Sequence, residues 1–101
     1  MAAFEIDVNE TAAVEIVDLP AFVRKRVVEA IETQLHYQPN VPTRNRKQLR
    51  GLIPPWEHLE PTWEMRVGEY RVFYDVDEIA RRVHIRAVRH KPPHRTTGEI
   101  L

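Results

Sequence analysis

Phe4, Ile6 and Val8 alternate with Glu5 and Asp7, the period of a short strand with one buried face. Asn9 then offers a side-chain oxygen to the start of a helix. Ala13, Ile16 and Val17 follow at helical spacing, which predicts a short helix over residues 10–18. Pro20 suits the first turn of a second helix. In that helix Val23, Val27, Ala30, Ile31 and Leu35 form one apolar stripe, while Arg24, Lys25, Glu29 and Glu32 fall largely on the other side. Pro39 and Pro42 end it.

From Asn40 to Thr62 the chain shows no sustained period and carries Pro42, Pro54, Pro55 and Pro61. It reads as a long connection with a short turn of helix near Gln48, and connections this long are usually functional or mobile. Three strands come next, over residues 62–67, 70–76 and 82–89. Gly68-Glu69 has the Gly-X form of a two-residue hairpin turn, and Asp77 to Ala80 makes a looser second turn. Strands joined this tightly run antiparallel. The order strand, helix, helix, loop, three-stranded meander predicts an α+β fold over residues 1–101 as a single domain.

Strand parity sorts the meander into two faces. One collects Trp63, Met65, Val67, Tyr70, Val72, Tyr74, Val76, Val83, Ile85 and Ala87, and this apolar face should receive the helices. The other collects Glu64, Arg66, Arg71, Phe73, Asp75, His84, Arg86, Val88 and His90. Arginine planes and an aromatic ring on an open sheet suit RNA phosphates and unstacked bases. Cross-strand pairing of Arg66, Arg71 and Arg86 with Glu64 and Asp75, over a minor second core at Phe73, accounts for the same residues.

Composition narrows this. The chain of 101 residues has room for one modest core. The absence of cysteine excludes disulfides and thiolate metal sites and suits a reducing, cytoplasmic setting. No signal peptide and no membrane span are visible. Net charge is zero, but its distribution is uneven. Residues 1–20 carry Glu5, Asp7, Glu10, Glu15 and Asp18 and no basic residue. Residues 81–101 carry Arg81, Arg82, Arg86, Arg89, Lys91 and Arg95 against Glu99 alone, and "TRNRKQLR" adds Arg44, Arg46, Lys47 and Arg50. A neutral molecule can therefore present a local positive field.

"RVGEYRVFYDVDE", followed by a strand ending "AVRHK", resembles the RelE/ParE superfamily of type II toxin–antitoxin toxins. "PTRNRKQLRG" ahead of the meander is similar to one RelE-like branch. The resemblance implies two helices against an antiparallel sheet and a cognate antitoxin protein as partner. It also implies either of two activities. RelE-like members are mRNA interferases, endoribonucleases that cut mRNA on the ribosome without a metal and so inhibit translation. ParE-like members inhibit gyrase, and a lapsed member would act through protein contacts alone. In ribonuclease members basic residues surround the scissile phosphate; Arg66 and Arg71 match two of them, and Lys91 falls where a basic residue follows the last strand. Three positions depart from the RelE pattern. Glu64 stands where lysine is common, Arg89 replaces a glycine, and Thr97 occupies the place of a C-terminal tyrosine.

Metal-independent cleavage needs a group to deprotonate the 2′-hydroxyl, one to protonate the leaving 5′-oxygen, and cations for the charge on phosphorus. Arg66 and Arg71 suit the last role. Glu64, His90 and His94 are candidates for proton transfer, with His90 preferred because histidine titrates near neutrality. Arg44, Arg46, Lys47, Phe73, Arg86 and Arg89 are candidate RNA contacts. Trp56 suits stacking on a base or closing the edge of the core. Pro92 and Pro93 deny His90 and His94 the helix that would align a metal-binding pair, so no metal and no cofactor are expected.

Overall fold

The computed structural model describes residues 3–101. Strand β1 (Glu5–Val8) leads into helices α1 (Glu10–Val17) and α2 (Ala21–Gln34). Strands β2 (Arg46–Gln48), β3 (Trp63–Val67), β4 (Tyr70–Asp77) and β5 (Arg82–His90) follow, and a single turn of helix, α3 (Thr97–Ile100), ends the chain. The five strands form one sheet in the order β1-β5-β4-β3-β2. β1 joins β5 in parallel, and every other pairing is antiparallel. The fold is α+β, as the element order implies.

Local chemistry accounts for most boundaries. The Asn9 side chain accepts from the Ala12 N–H at 2.8 Å and so caps α1. Pro20 stands at the N-cap of α2. Gly68 has φ 58° at the first central position of the β3–β4 turn, a conformation that favours glycine. The α2 stripe buries Val23, Val27, Ile31 and Leu35 against Met65, Val72, Tyr74 and Ile85. Each such side chain contributes roughly 1.5–3 kcal/mol when fully buried. Tyr74 also donates its hydroxyl to the Pro39 carbonyl at 2.7 Å, which ties the start of the long connection to the core.

Two expectations are corrected here. The segment around Gln48 is not a helical turn but the edge strand β2, with Arg46 opposite Met65 and Gln48 opposite Trp63. Arg46 therefore lies on the helix face. It is 6% exposed and donates Nη1 to the Gln34 carbonyl at 2.6 Å, where a cation complements the C-terminal end of α2. The second correction concerns β5. Phe73 pairs with Ala87 but Tyr74 pairs with Ile85, so the register shifts there and Arg86 is an extra residue on β5. One added residue inverts parity beyond it. Val88 and His90 turn to the helix face, opposite Val72 and Tyr70, while Ala87 and Arg89 turn to the other face, opposite Phe73 and Arg71. Val88 accordingly joins the main core.

The second face is not open along its length. Trp56, from the 49–62 connection, lies 5.4 Å from the Phe73 ring between centroids, and Phe73 is fully buried. Asp75 is 0% exposed and accepts Arg86 Nε at 2.8 Å and Nη2 at 3.1 Å. Both features fit the cross-strand alternative: a small second core with a two-pronged ion pair beside it.

Candidate nucleic-acid interface

Where the connection leaves the second face uncovered, a row of cations crosses the sheet. Arg66 on β3 stands opposite Arg71 on β4, which stands opposite Arg89 on β5. Like charges facing one another destabilise a sheet by roughly 0.2–1 kcal/mol a pair. Each arginine meets that cost differently. Arg66 is exposed. Arg89 pairs with Glu15 and lies over the Trp56 ring at 5.6 Å. Glu15 also accepts the Val88 N–H at 3.0 Å, satisfying the edge of β5 beyond the end of β1.

Arg71 is the most rigidly held. Its Nη1 donates to the Gly68 carbonyl at 3.0 Å and the Tyr70 carbonyl at 2.9 Å, and its side chain is 12% exposed. Burial holds its guanidinium below the usual arginine value, against the opposing pull of Glu64 and with help from Arg66. It remains charged at neutral pH.

Arg66 and Arg71, but not Arg89, line a cavity of about 280 Å³ together with Arg44, Lys47, Lys91 and Thr97. β2 brings Lys47 opposite Glu64. The Lys91 N–H donates to the Glu69 carbonyl at 2.6 Å, fixing the backbone just past β5. Glu64 is the one carboxylate lining the cavity. It is 3% exposed and accepts the Thr97 hydroxyl at 2.7 Å. Lys47 Nζ lies at 3.8 Å and Arg71 Nε at 3.9 Å. A second cavity, of about 430 Å³ and bounded by Leu49, Arg50 and Leu52, shares the Lys47, Glu64 and Thr97 wall. The two form a groove along β2.

The structure thus gathers Arg66, Arg71 and Lys91 with Arg44, Lys47, Glu64 and Thr97, and separates the rest. His90 is corrected furthest. The bulge turns its ring toward Tyr70, at 4.9 Å between centroids, and toward a cavity formed with Phe22 and Arg26 on the helix side. It does not line the basic cavity. His94 is exposed outside both. Arg46 lines the basic cavity, but its guanidinium is committed to α2. Phe73 is buried, Arg86 is engaged by Asp75, and Arg89 by Glu15. Thr97, which the resemblance sets at the place of a C-terminal tyrosine, lines the same cavity. Glu64 was a candidate only beside the histidines. The sequence preferred His90; in the structure Glu64, opposite Phe73 in the β3–β4 pairing, lies between Lys47 and Arg71, and neither histidine lines the cavity.

No group of three or more histidine, aspartate or glutamate side chains among the described residues is arranged to hold a metal ion. No helix among them is long and apolar enough to cross a membrane.

Helices α1 and α2 thus pack on a five-stranded sheet that carries the basic cavity at β2, β3 and β4. The profile of the ParE toxin of the type II toxin–antitoxin system parDE matches residues 6–91. The chain belongs to that family, within the RelE/ParE superfamily of toxins. Among solved structures, it is similar to a chain of the toxin–antitoxin complex RelBE2 from Mycobacterium tuberculosis. The TM-score is 0.70 at 28% identity, covering 88% of this chain and 99% of that one. A chain of the archaeal RelE–RelB complex from Pyrococcus horikoshii shares the fold, with a TM-score of 0.68 at 22% identity over 92% of this chain and 98% of that one. No curated protein matches the sequence.

Proposed function

We propose that this toxin is a metal-independent endoribonuclease that cuts mRNA on the ribosome and is neutralised by a cognate antitoxin. The observation that supports it best is the convergence of Arg66, Arg71, Lys91, Arg44 and Lys47 around a single carboxylate in one cavity. Cations in fixed positions, aimed at one place, stabilise the charge that develops on phosphorus. Arg71 is the centre of this set, because two carbonyls and the strand backbone hold its fork in place before substrate arrives.

In this reading Glu64, held by Thr97 and flanked by Lys47 and Arg71, accepts the 2′-hydroxyl proton. The 2′-oxygen bonds to phosphorus, the bond to the 5′-oxygen breaks, and the Lys91 ammonium supplies the proton to the leaving oxygen. The products are a 2′,3′-cyclic phosphate and a 5′-hydroxyl. Arg44 and Lys47, both exposed, contact the phosphates on either side.

Primer extension on mRNA after brief induction in cells tests this. Discrete stops inside reading frames, absent with Arg71→Ala, are expected. Intact messages alongside DNA damage would instead establish gyrase inhibition, the reading favoured by the ParE description of the matching family.

A further inference from the structure

The backbone of β1 is paired on one side only. The Glu5 N–H donates to the Arg81 carbonyl at 2.9 Å and the Asn9 N–H to the Ile85 carbonyl at 3.1 Å, so residues of that parity point inward to β5. Phe4, Ile6 and Val8 have the opposite parity and turn their N–H and C=O groups outward. Phe4 is satisfied by the end of α2. Its N–H donates to the His36 carbonyl at 2.6 Å, and its carbonyl meets His36 Nδ1 at 3.0 Å. Among the described residues no strand pairs with the outward groups of Ile6 and Val8. The other sheet edge is shorter: β2 has three residues, and Thr43 folds back to bridge Arg46.

Beside the free β1 edge lies a largely apolar groove of about 330 Å³, formed by Ile6 and Val8, by Ile16 of α1, and by Val28 and Ile31 of α2, with Glu32 and His36 at its polar end. An unprotected edge next to an apolar groove is the geometry that accepts an added strand. On the other face of the same edge stand the carboxylates of Glu5 and Asp7, exposed although Arg82 and His84 approach them.

We propose that the β1 edge anchors an extended segment of the antitoxin in which apolar and basic side chains alternate. This rests on the toxin reading for the identity of the partner. The apolar side chains enter the groove, and the basic ones pass Glu5 and Asp7, within a stretch that has no lysine or arginine before Arg24. A second copy of this chain fits less well. Two-fold pairing of β1 places the Glu5 and Asp7 carboxylates of both copies on one face, where like charges oppose pairing. Because β1 and β2 are opposite edges of the sheet, the anchor is remote from the basic cavity and holds the antitoxin without occupying that cavity.

Val8→Pro tests the anchor. Proline removes the outward N–H, suits an extended φ, and leaves the bonds of Glu5 and Asn9 to β5 in place. Two eight-residue probe peptides, one alternating valine with lysine and one valine with glutamate, are titrated into the isotope-labelled chain. The lysine peptide should slow amide exchange at Ile6 and Val8 about tenfold or more, and the glutamate peptide should not. Val8→Pro should abolish this protection at Ile6. It should also weaken binding of the small protein encoded by the adjacent reading frame at least tenfold, with growth inhibition unchanged. Equal protection by both peptides, protection by neither, or full binding by Val8→Pro overturns the proposal, as does a dimer of the chain alone that Val8→Pro dissolves. The peptide result does not depend on toxicity. A chain that takes the lysine peptide at β1 but leaves mRNA intact therefore refutes the ribonuclease reading and not the anchor.

Discussion

Replacing Arg71 by alanine separates a catalytic cation from a structural one. The guanidinium donates to the Gly68 and Tyr70 carbonyls, and hydrogen bonds from a charged donor contribute roughly 1.5–3 kcal/mol. Both carbonyls lie at an exposed turn residue and a half-buried one, so water replaces much of that loss. Truncation also removes the repulsion from Arg66 and Arg89, worth roughly 0.2–1 kcal/mol each. Glu64 loses a cation at 3.9 Å but keeps Thr97 and Lys47, so the net destabilisation is about 1–2 kcal/mol, small against the 5–15 kcal/mol typical of a folded domain, and the variant should remain folded. If Arg71 stabilises charge on a phosphate, the rate should fall on the order of 10²-fold or more, enough to abolish growth inhibition. Arg71→Lys should restore activity only in part, because lysine keeps the charge but not the two-pronged geometry. Growth curves after induction, read beside thermal melts and antitoxin capture, measure all three effects. Full toxicity of soluble Arg71→Ala at wild-type expression would refute the assignment, and so would loss of toxicity that merely tracks unfolding.

Glu64→Gln should keep the Thr97 contact and the fold but remove the proton acceptor, lowering single-turnover RNA cleavage by roughly 10²-fold or more while RNA binding persists; unchanged cleavage excludes Glu64 from proton transfer. Asp75→Ala should destabilise by about 3–5 kcal/mol because it strands a half-buried Arg86, and Arg86→Met with Asp75→Leu together should recover most of it; additive losses in chemical denaturation would show the pair is not coupled. The Trp56 carbonyl at His58 Nδ1 raises the His58 pKa above the ordinary imidazole value of 6.5, with burial opposing and Glu60 assisting. The protonated ring's contribution to docking the 49–62 connection is then fully present below pH 6.5 and is lost as pH rises through the higher folded value. Trp56 fluorescence should report looser docking as pH rises through that folded value in the wild type and a flat profile in His58→Gln; a flat wild-type profile counts against the contact.

Local sequence chemistry carried the two helices, the Asn9 cap, the Gly68 turn and the burial of Met65, Val72, Tyr74 and Ile85, because capping, turn conformation and strand alternation are decided within a few residues. It also carried Arg66, Arg71 and Lys91 as far as a shared family pattern. Tertiary structure decided the rest. β2 became a strand inside a proline-rich connection because β3 supplied its hydrogen bonds and Gln34 supplied a partner for Arg46. The bulge at Arg86 exists only as a mismatch between β4 and β5, so no property of β5 alone reveals that His90 faces the helices while Arg89 faces the cations. Phe73 alternates like a surface residue and is buried because Trp56, distant in sequence, covers it. Glu64 and Thr97 meet across 33 positions of chain; a hydrogen bond of that span follows from where the sheet and the C-terminal turn come to rest.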